Sequence, residues 1–404
     1  MELDYNKLLD MVSEMGYRLM KSGAEIYRVE ESIQRLLQSY GAPRGEVFAI
    51  PNCLMVSLTS PDGRPVTQIR RMPTHGTDIY LLEKYNGLCR RLCRETPAFE
   101  EALEQMEAIT RTHRVYSLPT QLAAHFLGCG MFSLFYGGTP ADGLCGGLCG
   151  MVIGLCMALM TRLGANLFFR TIAGGAASAL AAVALTRLGV GQNQDADGPG
   201  ARHRHDQRHA GHHGRRYGGG HQQGGGGAAH RRGHRSGHRP GPGPDPDGDG
   251  RRAMREALLY LLPCVYAFLA CIGFSMLFNI HGAGMLICAG GGALGWLCYL
   301  LTGPLVGNDI IQSFFAALVI SAWSEVMARL RKCPVTSYLL VALFPLVPGG
   351  GIYYTMEHAL NGDTELFLDT LMHTLGLAGA LAVGVLLVAS VVRLFTTYQS
   401  RRRG

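Results

Sequence analysis

The chain has 404 residues, 48% of them hydrophobic and 17% charged, with 12 cysteines and a formal net charge of +7. That apolar share is high for a soluble protein of this length, and the apolar residues are unevenly placed, with nearly all long runs after residue 115. The basic excess sits largely in 201–239 and in Arg401, Arg402 and Arg403, with no folded basic face carrying interleaved aromatics, so nucleic acid is excluded as a partner.

The opening Met1-Glu2-Leu3-Asp4 is acidic where a cleavable signal would be basic, so the N-terminal region is expected to stay cytoplasmic. Leu8, Leu9, Met11, Val12, Met15, Leu19 and Met20 recur at helical spacing and predict a helix over 4–21, ended by Gly23. A second helix is predicted over 25–40, with Ile26, Val29, Ile33, Leu36 and Leu37 on its apolar stripe and Gly41-Ala42-Pro43 as its stop. Strands follow at 46–50, 54–59 and 66–70, the last two joined by the turn-forming Pro61-Asp62-Gly63-Arg64-Pro65. Helices over 78–94 and 97–114 complete a compact α+β unit of residues 1–114.

From residue 115 the pattern changes to apolar stretches near the roughly 20 residues that cross a bilayer. Three are readable in 115–191, at 118–136, 144–160 and 167–188. In 251–404 they fall at 258–278, 285–301, 310–327, 335–347 and 371–392. The 335–347 run is short and meets Pro348-Gly349-Gly350-Gly351, so a broken or re-entrant span is expected there. The fold class is thus an α-helical polytopic membrane bundle behind a soluble α+β domain, with the lipid bilayer as partner. Arg111, Arg114, Arg329, Arg331, Lys332, Arg393 and the Arg401–Arg403 tail mark one face as cytoplasmic, the C-terminus included. Arg251, Arg252 and Arg255 are exceptions that this count places outside.

Most cysteines lie in apolar runs, where a thiol packs as a small hydrophobe, and no disulfide, metal or cofactor is assigned. Cys89 with Cys93, and Cys145 with Cys149, share a helix face and would make half a metal site, but packing is the simpler reading.

Residues 192–250 are Gly, Arg, His, Pro, Asp and Ala with almost nothing to bury, and read as a disordered loop. The same composition arises when GC-rich codons are translated out of frame. Shifting the frame across Asp197 to Arg216 permits a membrane-type sequence containing Pro-Gly, Thr-Asn, Arg-Asp and Gly-Asp. Nucleotide sequence across codons 190–252 tests this directly.

Four motifs carry a resemblance: Gly23-Ala24-Glu25-Ile26-Tyr27-Arg28-Val29-Glu30, Phe135-Tyr136-Gly137-Gly138 followed by Asp142, the shifted stretch, and Phe344-Pro345-Leu346-Val347-Pro348-Gly349-Gly350-Gly351-Ile352-Tyr353. Together they resemble the threonine/serine exporter family of bacterial inner-membrane proteins, in its fused form. The resemblance implies export of a small polar metabolite such as threonine or serine, with small dicarboxylates as the alternative, and leaves a homo-oligomer open. It also implies about five spans in the first group, of which the out-of-frame stretch would have supplied two.

A transported zwitterion needs polar groups at broken helices inside the bundle, which points to Asp142, Asp309, Pro348, Gly349 and Gly350, while Arg170 and Glu325 read as interfacial. Gly23, Glu25, Arg28 and Glu30 form the motif of the cytoplasmic domain, read as a helix cap. A hydrolase role for that domain is the competing class. Ser22, Ser32 and Ser57 lack a nucleophile elbow and His75 stands alone, so no catalytic residue is assigned. A non-transporting scaffold is the third class.

Overall fold

A computed structural model describes residues 4–42, 45–59, 63–72, 76–189 and 246–403. The N-terminal unit opens with α1 (Tyr5–Lys21) and α2 (Ile26–Ser39), then an antiparallel sheet of β1 (Glu46–Ile50), β2 (Cys53–Thr59) and β3 (Pro65–Arg71) in that order. Helices α3 (Ile79–Glu95) and α4 (Phe99–Arg111) close it. Each lies within two or three residues of its predicted position, because amphipathic spacing and turn residues are local signals. The core holds Leu8, Met11, Met15, Ile33, Leu36 and Leu54, all essentially inaccessible. Arg18 of α1 donates to the Met106 carbonyl (2.7 Å) and to Glu14 (2.5 Å), and Arg70 of β3 joins the same carboxylate, so one ion network ties α1, α4 and the sheet.

Gly23 turns the chain between α1 and α2 with φ +96°, and a Cβ there would lie 2.8 Å from the Gly76 carbonyl. That close approach lets Gly76 N–H reach the Lys21 carbonyl (3.2 Å) and Asp78 N–H the Ser22 carbonyl (3.1 Å), which seats α3 against α1.

Beyond the unit run α5 (Leu118–Phe135), α6 (Pro140–Arg162), α7 (Leu167–Arg187), α8 (Pro246–Leu277), α9 (Ala283–Val306), α10 (Asp309–Arg331), α11 (Thr336–Ala342), α12 (Gly349–Asn361) and α13 (Thr364–Arg403). Among the described residues six helices are long and apolar enough to cross a membrane: α6, α7, α9, α10 and the apolar stretches of α8 and α13. Helix α5, expected to span, is not one of the six; its Gln121 and His125 dilute an otherwise apolar stretch. α6 begins four residues before its predicted start, because Thr139 and Asp142 cap it reciprocally. α8 begins at Pro246, so the last five residues of the stretch expected to be structureless are helical; 192–245 lie outside the described residues.

Asp309 pairs with His373 (2.8 Å), Gly376 faces Ile310, and Gly384 faces Ala317. Helices α10 and α13 therefore run parallel, and their basic C-terminal ends emerge on one side. The N-terminal unit is on that side too: Arg90 of α3 donates to the Lys332 carbonyl just beyond α10.

Candidate functional site

The expected broken span is present. Helices α11 and α12 meet at 52° across a single 3-10 turn, Phe344–Leu346. Pro345 and Pro348 cause it: neither has an N–H to donate, and the residue before a proline is pushed out of the helical region, as Val347 is at ψ 125°. The break falls earlier than the glycine run predicted. Gly349, Gly350 and Gly351 already form the first turn of α12, and Pro348 precedes it as the cap. A Cβ on Gly349 or Gly350 would meet nothing within 4 Å, so no neighbouring helix packs against these two, whereas Gly351 packs on Thr374 of α13.

What faces the interior is the turn before them. Pro345, Leu346, Val341 and Ala342 are buried, and α9 approaches them through Gly291 and Gly292, whose added Cβ atoms would lie 3.0 Å from Ala342 Cβ and 3.5 Å from Pro345 Cγ. Phe344 packs edge-on to Phe274 of α8, ring centroids 4.9 Å apart, and Phe135 packs on Trp296 of α9 at 4.4 Å. Polar atoms are buried in the same helices. The hydroxyls of Ser321 and Ser324 on α10 and Ser337 on α11, and the Trp296 indole N–H, have no hydrogen-bond partner among the described residues. Unsatisfied buried groups each cost about 1–3 kcal/mol, so natural interiors hold few of them.

The other predicted residues divide. Asp142 is a helix cap: its carboxylate accepts from the Thr139 N–H (2.8 Å) and hydroxyl (2.9 Å). Asp309, at the start of α10, is half exposed and paired with His373 of α13 (2.8 Å), the neighbour of the Thr374 on which Gly351 packs. Arg170 donates to the Thr161 hydroxyl (2.8 Å), and Glu325 faces Arg329 at 3.7 Å. Glu25 occupies the cap position of α2 but makes no capping bond there and pairs with Arg28 (3.1 Å) instead, which corrects the reading of a carboxylate cap. Glu30 accepts from the Ala49 N–H (2.8 Å), tying α2 to the sheet. Glu25 and Arg28 line a small cavity with Pro334 and Thr336, so the motif of the N-terminal unit abuts the start of the broken span. Ser22 donates to the Arg18 carbonyl and Ser57 pairs with Thr67; His75 lies outside the described residues.

Sequence reading missed a polar junction between unit and bundle. Asn279, buried between α8 and α9, donates to both oxygens of Asp78 (3.1 and 3.0 Å) and to the Arg114 carbonyl (2.9 Å). His113 Nε2 meets the same carboxylate at 2.7 Å, and His281 reaches the Asn279 carbonyl oxygen at 3.0 Å while stacking on Tyr116 at 4.3 Å. Only a positive φ of 56° at Asn279, which asparagine tolerates well, hints at it locally.

These features define a multi-pass helical membrane protein with an α+β unit docked at one end of its bundle and one proline-broken span. Two family models match the chain, one described as putative threonine/serine exporter over residues 10–199 and one described as threonine/serine exporter over residues 263–391. The chain belongs to the threonine/serine exporter family. Among curated proteins it is similar to a "Probable threonine/serine exporter" of Mycobacterium tuberculosis (strain ATCC 25618 / H37Rv), 29% identical over 187 residues. That match covers 45% of this chain and 35% of the relative, so the chain spans about a third of the relative's length. No solved structure matches the chain. The two family matches leave 200–262 uncovered, a stretch that contains most of the sequence suspected to be out of frame.

Proposed function

We propose that this protein exports a small polar amino acid, threonine or serine, across the bacterial inner membrane, with residues 1–114 and the C-terminus in the cytoplasm. The observation that carries the reading is the proline-broken span packed against helices that bury unpartnered hydroxyls and an indole N–H. A zwitterion offers donors and acceptors for such groups, and the Gly350 and Gly351 amides in the first turn of α12 have no carbonyl behind them in the helix, which suits a carboxylate, while Gly349 N–H is held by the Val347 carbonyl. Family membership and the named relative support the substrate. The shared side of the unit, Lys332 and the basic end of α13 supports the orientation, since short basic segments stay cytoplasmic.

Cells overproducing the chain and loaded with a threonine-containing dipeptide are expected to release free threonine several-fold faster than cells carrying an empty vector. Release equal to the control sinks the reading, and faster release of small dicarboxylates alone changes the substrate. Protease added to sealed cells is expected to leave residues 1–114 intact; their removal from outside reverses the orientation.

A further inference from the structure

A second cavity lies where the N-terminal unit meets the α10–α11 connection. It is a groove of about 670 Å³ walled on one side by α2 and α3 and on the other by Lys332 and Cys333. Its charged lining is one-sided: Arg28, Arg35, Arg90, Arg94 and Lys332 face a single carboxylate, Glu31. Cys93 also lines it, and its thiol is drawn down by the neighbouring Cys89 thiol and then by Ser39 and Arg35, against the opposing effect of burial. The groove thus sets five basic side chains against one carboxylate, with the Cys93 thiol among them.

Some of that charge is already used. Glu31 holds Arg35 at 2.5 Å, and Glu25 holds Arg28 at 3.1 Å from the neighbouring cavity. Arg90 gives one N–H to the Lys332 carbonyl. No carboxylate pairs with Arg90, Arg94 or Lys332 among the described residues, which leaves planar guanidinium forks and an ammonium converging from two separate regions of the fold. Helix C-termini attract cations by their dipoles, and this accounts for Arg94 and Lys332, but Arg28 and Arg35 are in the first and middle turns of α2. Arginine forks arranged around a concave, water-accessible space match the oxygens of a phosphate group, and the volume suits a small ligand.

We propose that this groove binds a phosphate-bearing anion, which bridges α2 and α3 to the loop that leads into the broken span and so fastens the N-terminal unit to the bundle. Two sources share that chemistry: a soluble phosphate compound, or the headgroup of an anionic lipid at the adjoining membrane surface. Binding here is independent of what the bundle transports, and the test reads binding and docking, not export.

The test uses the purified full chain and the double variant Arg90→Gln/Arg94→Gln, whose changed side chains are exposed and make no ion pair, with Arg111→Gln as a distant surface control. Thermal unfolding in neutral detergent is followed against pyrophosphate, with sodium chloride at equal ionic strength. In parallel, stability is compared in nanodiscs of phosphatidylglycerol and of phosphatidylcholine. Stabilisation by pyrophosphate beyond the salt control, with half-saturation at least about tenfold weaker in the double variant, assigns a soluble phosphate ligand; a loss of that size is what removing charge-assisted donors predicts. Stabilisation only in phosphatidylglycerol, lost in the double variant and kept in Arg111→Gln, assigns the lipid headgroup. No stabilisation in either arm, or equal stabilisation of wild type and double variant, overturns the proposal.

Discussion

Replacing Asn279 with aspartate is expected to undock the N-terminal unit from the helix bundle. Asn279 is 7% exposed and points its amide at both oxygens of Asp78 and at the Arg114 carbonyl. The substitution keeps the shape and the tolerance for φ +56°, but turns the donor into a second carboxylate facing the first. A lone charge in a fully buried pair costs about 3–5 kcal/mol. The Asp78 side chain is 22% exposed, so water recovers some of this. A penalty of about 2 kcal/mol, roughly thirtyfold in the docking equilibrium, is the expected size. Limited proteolysis in detergent should then cut the 112–117 connection much faster than in wild type. Asn279→Gly, which accepts the backbone angle and removes the hydrogen bonds without adding charge, should fall between the two. A cleavage rate for Asn279→Asp equal to wild type would show that Asp78 and Asn279 do not hold the unit in place.

Gly292→Leu should leave little or no monodisperse protein. A Cβ on Gly292 would stand 2.6 Å from Cys271 Sγ on α8 and 3.5 Å from the Ala342 carbonyl and Pro345 on the broken span. The remaining atoms of leucine would have to push α9 away from both neighbours at once. Overpacking a tight core costs about 1–3 kcal/mol where side chains can shift; here backbone and a proline ring belong to the wall, so the upper end is expected. Gly349→Ala is the matching control, because nothing lies within 4 Å of its Cβ position. Size-exclusion profiles of the two variants decide: a normal peak for Gly292→Leu would mean that α8, α9 and the broken span are not packed this closely.

Asn279 and Gly292 also mark where reading the chain in one dimension stops. Periodicity was enough for the N-terminal unit, since an apolar stripe at helical spacing and a stop such as Gly41 are properties of neighbouring residues, while the predicted turn at Pro61-Asp62 lies outside the described residues. Apolar runs of span length were enough for α7, α9, α10 and α13, because lipid admits only segments that satisfy their own backbone. Helix ends were less legible: α6 and α8 extend past their apolar cores into capping or polar residues. The break was legible from Pro348 and the glycines, but its inward face was not, because whether Gly349 or Pro345 meets the interior depends on how α12 turns after the bend.

Local composition and short motifs were sufficient for the elements of the N-terminal unit, most of the membrane-length helices, the break and the family. Three-dimensional packing was needed to show that Asp309 pairs with His373 and that Asp78 and Asn279 meet across 201 residues. Packing alone also brings Arg28, Arg90 and Lys332 into one groove. The cause is common to all of these. A polar side chain's role is set by the partner it finds within hydrogen-bonding or ion-pair reach, and that partner is chosen by contact between elements, which leaves no periodic trace in the chain.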